Sequence, residues 1–115
     1  MTLSEFELMK CEKAIAAFMN KRRPPPHIRK QLDLGYRING QSIEIFEIRP
    51  EWKNPENTLE IPVAKSTYVR AKGTWKVYWQ RHDLKWHRYE PVPEVKSVEA
   101  FLDLVDRDEY ACFFG

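Results

Sequence analysis

The residues best suited to ligand chemistry lie in one stretch, residues 74–89, where aromatic rings and positive charges are interspersed. Aromatic faces can stack on nucleic-acid bases while lysine and arginine side chains contact phosphates. The stretch therefore predicts a binding face for an anionic polymer such as nucleic acid, with four candidate residues: Lys76, Tyr78, Lys85 and His87. The competing interpretation is that the tryptophans of this stretch pack in the core and that its charges form only a solvated rim.

A second group of positive charges, residues 21–30, surrounds three consecutive prolines. Lys21, Arg22 and Arg23 come directly before Pro24, and the proline run predicts the end of a helix followed by a stiff, extended spacer. The ordinary explanation of the three charges is that they match the negative end of the helix dipole. They also extend the basic character of the predicted face, so we include them among the ligand-binding candidates. The prolines, or an open edge of the third strand, could instead bind a protein partner.

Two carboxylates, Asp33 and Glu44, lie on predicted neighbouring strands and could share one face of the sheet. Carboxylates on adjacent strands, with a nearby lysine, can hold Mg²⁺ and support phosphodiester hydrolysis. A metal-dependent phosphodiesterase or nuclease is therefore the alternative from the class of enzymes. Charge pairing with arginines on the next strand explains the same residues without catalysis. Because no Asp/Glu-x-Lys pair lies inside a predicted strand, the sequence favours a non-catalytic protein.

The histidines and cysteines do not indicate a metal centre. His82, Asp83 and His87 are close in sequence, but no further histidine is in range to complete a zinc site. Cys11 and Cys112 are about a hundred positions apart and have no Cys-x-x-Cys spacing. We expect two reduced thiols packed as small apolar groups, with no bound metal and no cofactor.

Length and composition indicate one globular domain, residues 1–115. The hydrophobic fraction of 43% excludes a disordered chain, and the apolar runs are too short to cross a bilayer. Glu5 and Glu7 stand where a signal peptide would need basic residues and an apolar run, which predicts a cytoplasmic protein. The net charge of +2 is too small to indicate a polyanion ligand by itself. The oligomeric state is not indicated by any of these features.

Two helices are predicted, at residues 3–20 and over about ten residues after Ser97. Ser4 and Glu7 have the spacing of a capping box, in which each side chain accepts a backbone N–H of the first turn. Apolar residues recur at helical spacing in the first helix, at Leu8, Cys11, Ile15 and Phe18. The two phenylalanines near the C-terminus, Phe113 and Phe114, are expected to dock into the core.

Five strands are predicted between the helices, all connected as hairpins. The first two form a hairpin over residues 31–49, and the others cover residues 59–71, 74–81 and 84–89. The fold class is therefore α+β, a single antiparallel sheet with both helices packed on one face. Trp52 is expected to tether the loop at residues 50–58 to the core.

The turns predict the register of the strands. A two-residue turn at Asn39-Gly40 would place Leu34, Tyr36 and Ile38 opposite Ile45, Ile43 and Gln41. The short turn at Lys72-Gly73 would pair Tyr68 with Val77 and Thr67 with Tyr78, and a turn at His82-Asp83 would place Trp79 beside Trp86. The face without helices would then carry Lys76, Tyr78, Gln80, Lys85 and His87.

The chain resembles a family of short bacterial proteins that is classed as a domain of unknown function. The segments that carry the resemblance run along the whole chain: residues 21–27, 44–50 with Trp52, 67–70, 75–79, 83–89 and 112–115. The resemblance implies a bacterial, stand-alone, cytoplasmic protein. It implies no catalytic residues, so the functional inference depends on the residues themselves.

Overall fold

The structure is a computed structural model, and it describes residues 2–114. The elements, in chain order, are α1 (Glu5–Arg22), β1 (Asp33–Asn39), β2 (Ser42–Pro50), β3 (Thr58–Val69), β4 (Thr74–Gln80), β5 (Trp86–Arg88), β6 (Glu94–Val95) and α2 (Val98–Arg107). The sheet is antiparallel in the order β1-β2-β3-β4-β5, and the additional short strand β6 pairs with β4. The predicted α+β fold, with its helix, hairpins and second helix, is confirmed.

Helix α1 begins with the predicted capping box. The backbone N–H of Glu7 donates to Ser4 Oγ at 3.1 Å, and the N–H of Ser4 donates to Glu7 Oε1 at 2.8 Å. The helix continues to Arg22, two residues beyond the predicted end, because only Pro24 prevents the next turn. The chain then turns at residues 26–31 instead of staying extended, with Ile28 N–H donating to the carbonyl of Pro25 at 2.9 Å.

Both helices pack on one face of the sheet and form a single core with it. The buried residues of that core include Cys11, Ile15 and Phe18 from α1, Phe101, Leu102 and Val105 from α2, and Ile43, Ile45, Trp75 and Val77 from the sheet. Leu8, predicted on the buried stripe, is only half-buried. Both cysteines are free thiols, and burial raises the pKa of Cys11 to about 11.

The register of the first hairpin differs from the prediction by two positions. Asn39 pairs with Ser42, so the turn residues are Gly40 and Gln41, and Gly40 takes the positive φ of 63°. Tyr36 therefore lies opposite Ile45, not Ile43. Likewise, Ile38 faces Ile43 and Leu34 faces Glu47. A shift of two leaves every side chain on its predicted face, because side chains alternate with period two.

The next hairpin is also shifted by two positions. Four residues, 70–73, form the turn between β3 and β4, and Gly73 has a φ of 64°. Tyr68 therefore faces Trp75 instead of Val77, with ring centroids 5.1 Å apart. Thr67 faces Lys76 instead of Tyr78 for the same reason.

The connection from β4 to β5 is a five-residue loop, residues 81–85, and not the predicted two-residue turn. Within the loop Leu84 takes a φ of 62°, which is uncommon for a leucine. As a result Trp79 lies opposite His87, and Trp86 lies opposite Gln80. The pairing of β4 with β5 is shifted from the predicted register by an odd number of positions. The side chains of residues 86–88 therefore project from the faces opposite to those predicted.

Trp52 and Phe113 were both predicted to contact the core, but they differ in their exposure to solvent. Trp52, expected to tether its loop, is 84% exposed at the tip of the β2–β3 hairpin. Phe113 is buried and packs on Tyr89 with ring centroids 4.8 Å apart, as the docking prediction requires. Within residues 2–114, no helix has the length and apolar character needed to cross a membrane.

Candidate ligand-binding face

The face of the sheet that the helices leave open carries a row of polar side chains directly across the strands. Tyr78 on β4 lies opposite Lys65 on β3 and opposite Arg88 on β5. Because opposed residues in antiparallel strands project to the same side, the phenol ring lies between two cations. Glu44 on β2 continues the row beyond Lys65, and Arg37 on β1 completes it.

A second aromatic ring belongs to this open face. Trp86 on β5 lies opposite Gln80, which is two residues along β4 from Tyr78 and therefore on the same face. The Nζ atom of Lys65 is 5.8 Å from the centroid of the Trp86 ring, a cation–π contact that confirms their common side. Tyr78 and Trp86 are therefore diagonal neighbours, and both are half-buried. Each ring keeps part of its surface open to a ligand.

A cavity of about 270 Å³ opens beside Tyr78. Strands β5 and β6 pair with opposite ends of β4 and leave Val77 between them, and Val77 is part of the lining of this cavity. The N–H of Val77 donates to the carbonyl of Pro93 at 3.0 Å, and its carbonyl accepts the N–H of Tyr89 at 2.9 Å. The gap in the ladder is thus closed by the backbone of the connecting loop. The lining includes Lys72, Lys76, Tyr78, Arg88 and Glu94.

The positive charges around this face are largely free of internal partners. Within residues 2–114, no carboxylate oxygen lies within 4.0 Å of the cationic nitrogens of Lys65, Lys76, Arg81, Lys85 or Arg88. The carboxylate of Glu44 turns to Arg37 at 3.7 Å, and that of Glu94 contacts Lys72 at 3.5 Å. The unpaired cations therefore need counter-ions from solution, which an anionic ligand would replace.

The predicted basic residues of the proline segment have a different role. Lys21 forms an ion pair with Asp106 of α2 at 2.6 Å, and this hydrogen bond raises the pKa of Lys21. The guanidinium of Arg22 lies 4.1 Å from the centroid of the Phe114 ring. Arg23 donates two hydrogen bonds to the carboxylate of Asp33, at 2.8 and 2.9 Å. These contacts connect α1 to α2, to the C-terminal segment and to β1, and they occupy the charges.

Two further candidates, Lys85 and His87, lie outside the Tyr78 row. His87 is opposite Trp79 and therefore points to the side of the sheet that carries the helices, which corrects its predicted position. Its Nε2 atom is 2.8 Å from Asp83 Oδ2, and this hydrogen bond lowers the pKa of Asp83. Lys85 is exposed in the loop, where its backbone N–H donates to Asp83 Oδ1. Asp83 thus braces the loop that carries Lys85.

The two carboxylates considered for catalysis do not converge. Asp33 pairs with Ile48, whereas Glu44 pairs with Arg37, so they are separated by four positions, about 13 Å along the strands. The hydrogen bond from Arg23 lowers the pKa of Asp33 below its ordinary value. Among residues 2–114, no group of three His, Cys, Asp or Glu side chains is arranged to hold a metal ion. Glu44 pairs with Arg37 on the neighbouring strand, as cross-strand charge pairing expects, whereas Asp33 pairs with Arg23 at the end of α1 and not with an arginine of the sheet.

Three residues of the open face were missing from the sequence candidates: Lys65, Trp86 and Arg88. Alternation along β3 places Lys65 on the Tyr78 side of the sheet in both the predicted and the observed register, whereas the side of Trp86 and Arg88 depends on the length of the loop at 81–85. With a five-residue loop, Arg88 and Trp86 take the places assigned to His87 and Lys85. The loop length was the signal that could have identified Trp86 and Arg88, and the alternation along β3 was the signal for Lys65.

Comparison with known proteins identifies a family. The model of the family described as Domain of unknown function (DUF3024) matches residues 3–115, so the chain belongs to this family. No curated protein and no solved structure matches the chain. The family confirms the resemblance found in the sequence, and its description contains no activity.

Proposed function

We propose that this member of the DUF3024 family is a non-catalytic binding protein that takes single-stranded nucleic acid on the open face of its sheet. The observation that carries the proposal is the row in which Tyr78 lies between Lys65 and Arg88. An aromatic ring between two cations offers a stacking surface for a base and two contacts for the phosphates on either side. Small antiparallel sheets are a common platform for this type of recognition.

The two rings of the face favour a single strand over a duplex. Tyr78 and Trp86 are diagonal neighbours on adjacent strands, a separation of about 7 Å. Bases can reach such rings only when they are unstacked from their neighbours, as in single strands, loops and ends. A duplex presents its phosphates but keeps its bases inside, so it would use the cations and leave the rings without a partner.

The distribution of charge supports the same ligand. The net charge of the chain is only +2, and two basic residues of the proline segment, Lys21 and Arg23, are paired with Asp106 and Asp33. Five cations that have no carboxylate partner among residues 2–114, Lys65, Lys76, Arg81, Lys85 and Arg88, lie on β3, β4 and β5 and in the loop at 81–85. The cavity beside Tyr78, with Lys76 and Arg88 in its lining, has room for a phosphate group. We expect the phosphate contacts to be strongest there.

The geometry gives less support to the two alternatives. A metal-dependent phosphodiesterase would need Asp33 and Glu44 close together, whereas each binds a different arginine. A partner that reads the proline segment as an extended ligand would have to unfold the turns at residues 26–31. The open face needs no rearrangement to accept its ligand.

A fluorescence titration with short single-stranded and duplex oligonucleotides tests the proposal. Trp52 should first be replaced, as Trp52→Phe, because its exposed ring would respond to any nearby solute. In this background we expect saturable quenching by the single strand, weakening steeply with salt. Trp86→Phe should remove most of the signal. Binding should be weaker to the duplex than to the single strand.

Matched charge reversals locate the site. Arg88→Glu should weaken binding at least about tenfold and lower the salt slope, because it removes a phosphate contact and adds a repulsive charge. Lys30→Glu is the control: it reverses an exposed lysine of the proline segment that does not line the cavity beside Tyr78, and should change the affinity little. Equal losses in both variants would indicate non-specific attraction and refute the assigned site. Absence of binding at low salt would refute the proposed function.

A further inference from the structure

We propose that strand β1 pairs with the β1 strand of a second copy of this chain, so that two sheets join edge to edge. In the sheet order β1 is terminal, and its outer edge has no neighbouring strand among residues 2–114. The edge spans seven residues, Asp33–Asn39. Proteins usually protect such edges with proline, lysine, bulges or very short strands. The sequence of β1 contains no proline and no lysine, and its pairing with β2 has no register shift. Its two charged residues are neutralised within the chain, Asp33 by Arg23 and Arg37 by Glu44 and Glu60.

The opposite edge of the sheet, formed by β5 and β6, is protected against the addition of another strand. There the strands β5 and β6 contain only three and two residues, and the loop between them crosses the gap at Val77. Strand β3 also has no pairing with β4 over residues 58–64, but Pro62 lacks an N–H and Val63 lies at a register shift. Strand β1 is therefore the edge best able to accept another strand.

The sequence of β1 is complementary to itself in the antiparallel direction. If a twofold axis passes at Tyr36, all seven residues pair: Asp33 with Asn39, Leu34 with Ile38, Gly35 with Arg37, and Tyr36 with Tyr36. No two like charges are opposed in this register, and the apolar residues meet each other. A register centred on Arg37 would oppose two arginines, and one centred on Gly35 would leave both ends unpaired. The interface is thus of the isologous type that closes a dimer.

The surface beside β1 also fits this partner. A groove of about 520 Å³ runs between α1 and β1, with Leu3, Leu8, Tyr36 and Ile38 among its lining residues. Tyr36 is 40% exposed at its margin. A strand added to β1 would place alternate side chains on the side of the sheet that carries this groove. In the proposed register the side chain available to the groove is Tyr36 of the second copy, because Leu34 and Ile38 pack in the core of their own chain.

The solvent-accessible area of the chain is large enough to include the interface with a second copy. A monomeric protein of 13.8 kDa is expected to expose about 6,600 Å². This chain exposes 7679 Å², about 1,000 Å² more. Each partner of a standard-size interface buries about 800 Å². The excess is therefore of the size that a stable dimer would remove.

The pairing has a consequence for the shape of the assembly. A twofold axis that relates two antiparallel edge strands is perpendicular to the sheet, so both helix layers lie on one side. The two open faces then lie together on the other side and form one continuous surface. The pairing itself does not depend on what that surface binds, so it can be tested without any ligand.

The first test is the mass of the chain in solution by sedimentation equilibrium. We expect a dimer, and we expect Tyr36→Lys to give a monomer, because two lysines would then oppose each other at the axis. Leu84→Lys is the matched control: it places the same charge on an exposed apolar residue of the loop at 81–85 and should leave the dimer intact. Far-ultraviolet circular dichroism identifies a variant that has failed to fold.

The second test is a crosslink that only the proposed register allows. Tyr36→Cys in a Cys112→Ser background places two thiols opposite each other at the axis, within the Cα separation of a disulfide. Mild oxidation should give a covalent dimer, while Leu84→Cys in the same background should give little. A native chain that is monomeric up to about 100 µM, far above the dissociation constants usual for such interfaces, would overturn the proposal. The edge would then be free to take a strand from a different protein.

Discussion

Gly35 occupies a position in β1 where a single methyl group should destabilise the fold. A Cβ atom at this residue would lie 2.7 Å from Cε2 and 3.0 Å from Cζ of Phe46, and 3.2 Å from Cδ1 of Ile48. The Phe46 ring is 8% exposed, and the guanidinium of Arg37 lies 4.5 Å from its centroid. Because the ring is held in this way, it cannot turn aside without losing the contact with Arg37.

Two opposing effects determine the outcome of Gly35→Ala. Alanine should be favoured over glycine in a strand by about 0.5–1 kcal/mol, since Gly35 does not have a positive φ. Inserting a methyl group into a tightly packed site costs about 1–3 kcal/mol. We therefore expect the overlap with Phe46 to prevail and the free energy of unfolding to fall by about 1 kcal/mol. The melting temperature should fall by about 4 °C.

Urea unfolding followed by circular dichroism measures this difference, and a double-mutant cycle identifies its cause. In a Phe46→Leu background the overlap is removed, and Gly35→Ala should become neutral or stabilising. Gly73→Ala is the control. Its Cβ would meet no atom within 4 Å, so any cost arises from the φ of 64° and should be the same in both backgrounds. A more stable Gly35→Ala variant, or a cost unchanged by Phe46→Leu, would refute the reasoning.

Two further predictions concern carboxylates that hold segments of the chain together. The Arg23 hydrogen bond lowers the pKa of Asp33 below 3.8, so the pair contributes stability above about pH 4 that is lost as the pH falls through the lowered pKa. Asp33→Asn should therefore reduce the drop in the urea midpoint between about pH 6 and pH 3, and an unchanged drop would contradict this role. The carboxylate of Asp108 accepts the N–H groups of Phe113 and Phe114 at 3.0 and 2.9 Å, so Asp108→Ala should lower the free energy of unfolding by about 2 kcal/mol. Asp108→Asn should lose less in the same urea experiment, and equal stability of all three chains would exclude the contact as a determinant.

Local features of the sequence were sufficient to predict where the helices and strands form. The Ser4–Glu7 capping box involves residues three apart, and Ser97 likewise caps α2 through a hydrogen bond to the N–H of Ala100. Alternation along β4 separated Trp75 and Val77 from Lys76 and Tyr78 correctly, because side-chain direction in a strand follows from position alone.

The register could not be obtained from the same information. Each hairpin pairing depends on how many residues the turn contains, and several turn conformations are open to the same few residues. Gly40 and Gly73 were expected near turns, but their strands pair two positions away from the prediction. The loop at 81–85 changed the pairing by an odd number, so only there did the faces change, and the change affected candidate site residues.

Taken by itself, the sequence determined which segments become helix or strand and which side chains alternate, because these properties arise between near neighbours in the chain. Only the tertiary structure decided which cations are available to a ligand. Lys21 and Asp106 are far apart in the sequence, yet their ion pair removes Lys21 from the candidate ligand-binding residues. Conversely, Lys65, Tyr78 and Arg88 come from three different strands and together form the candidate site. Such contacts depend on the packing of whole elements, and no local pattern specifies them.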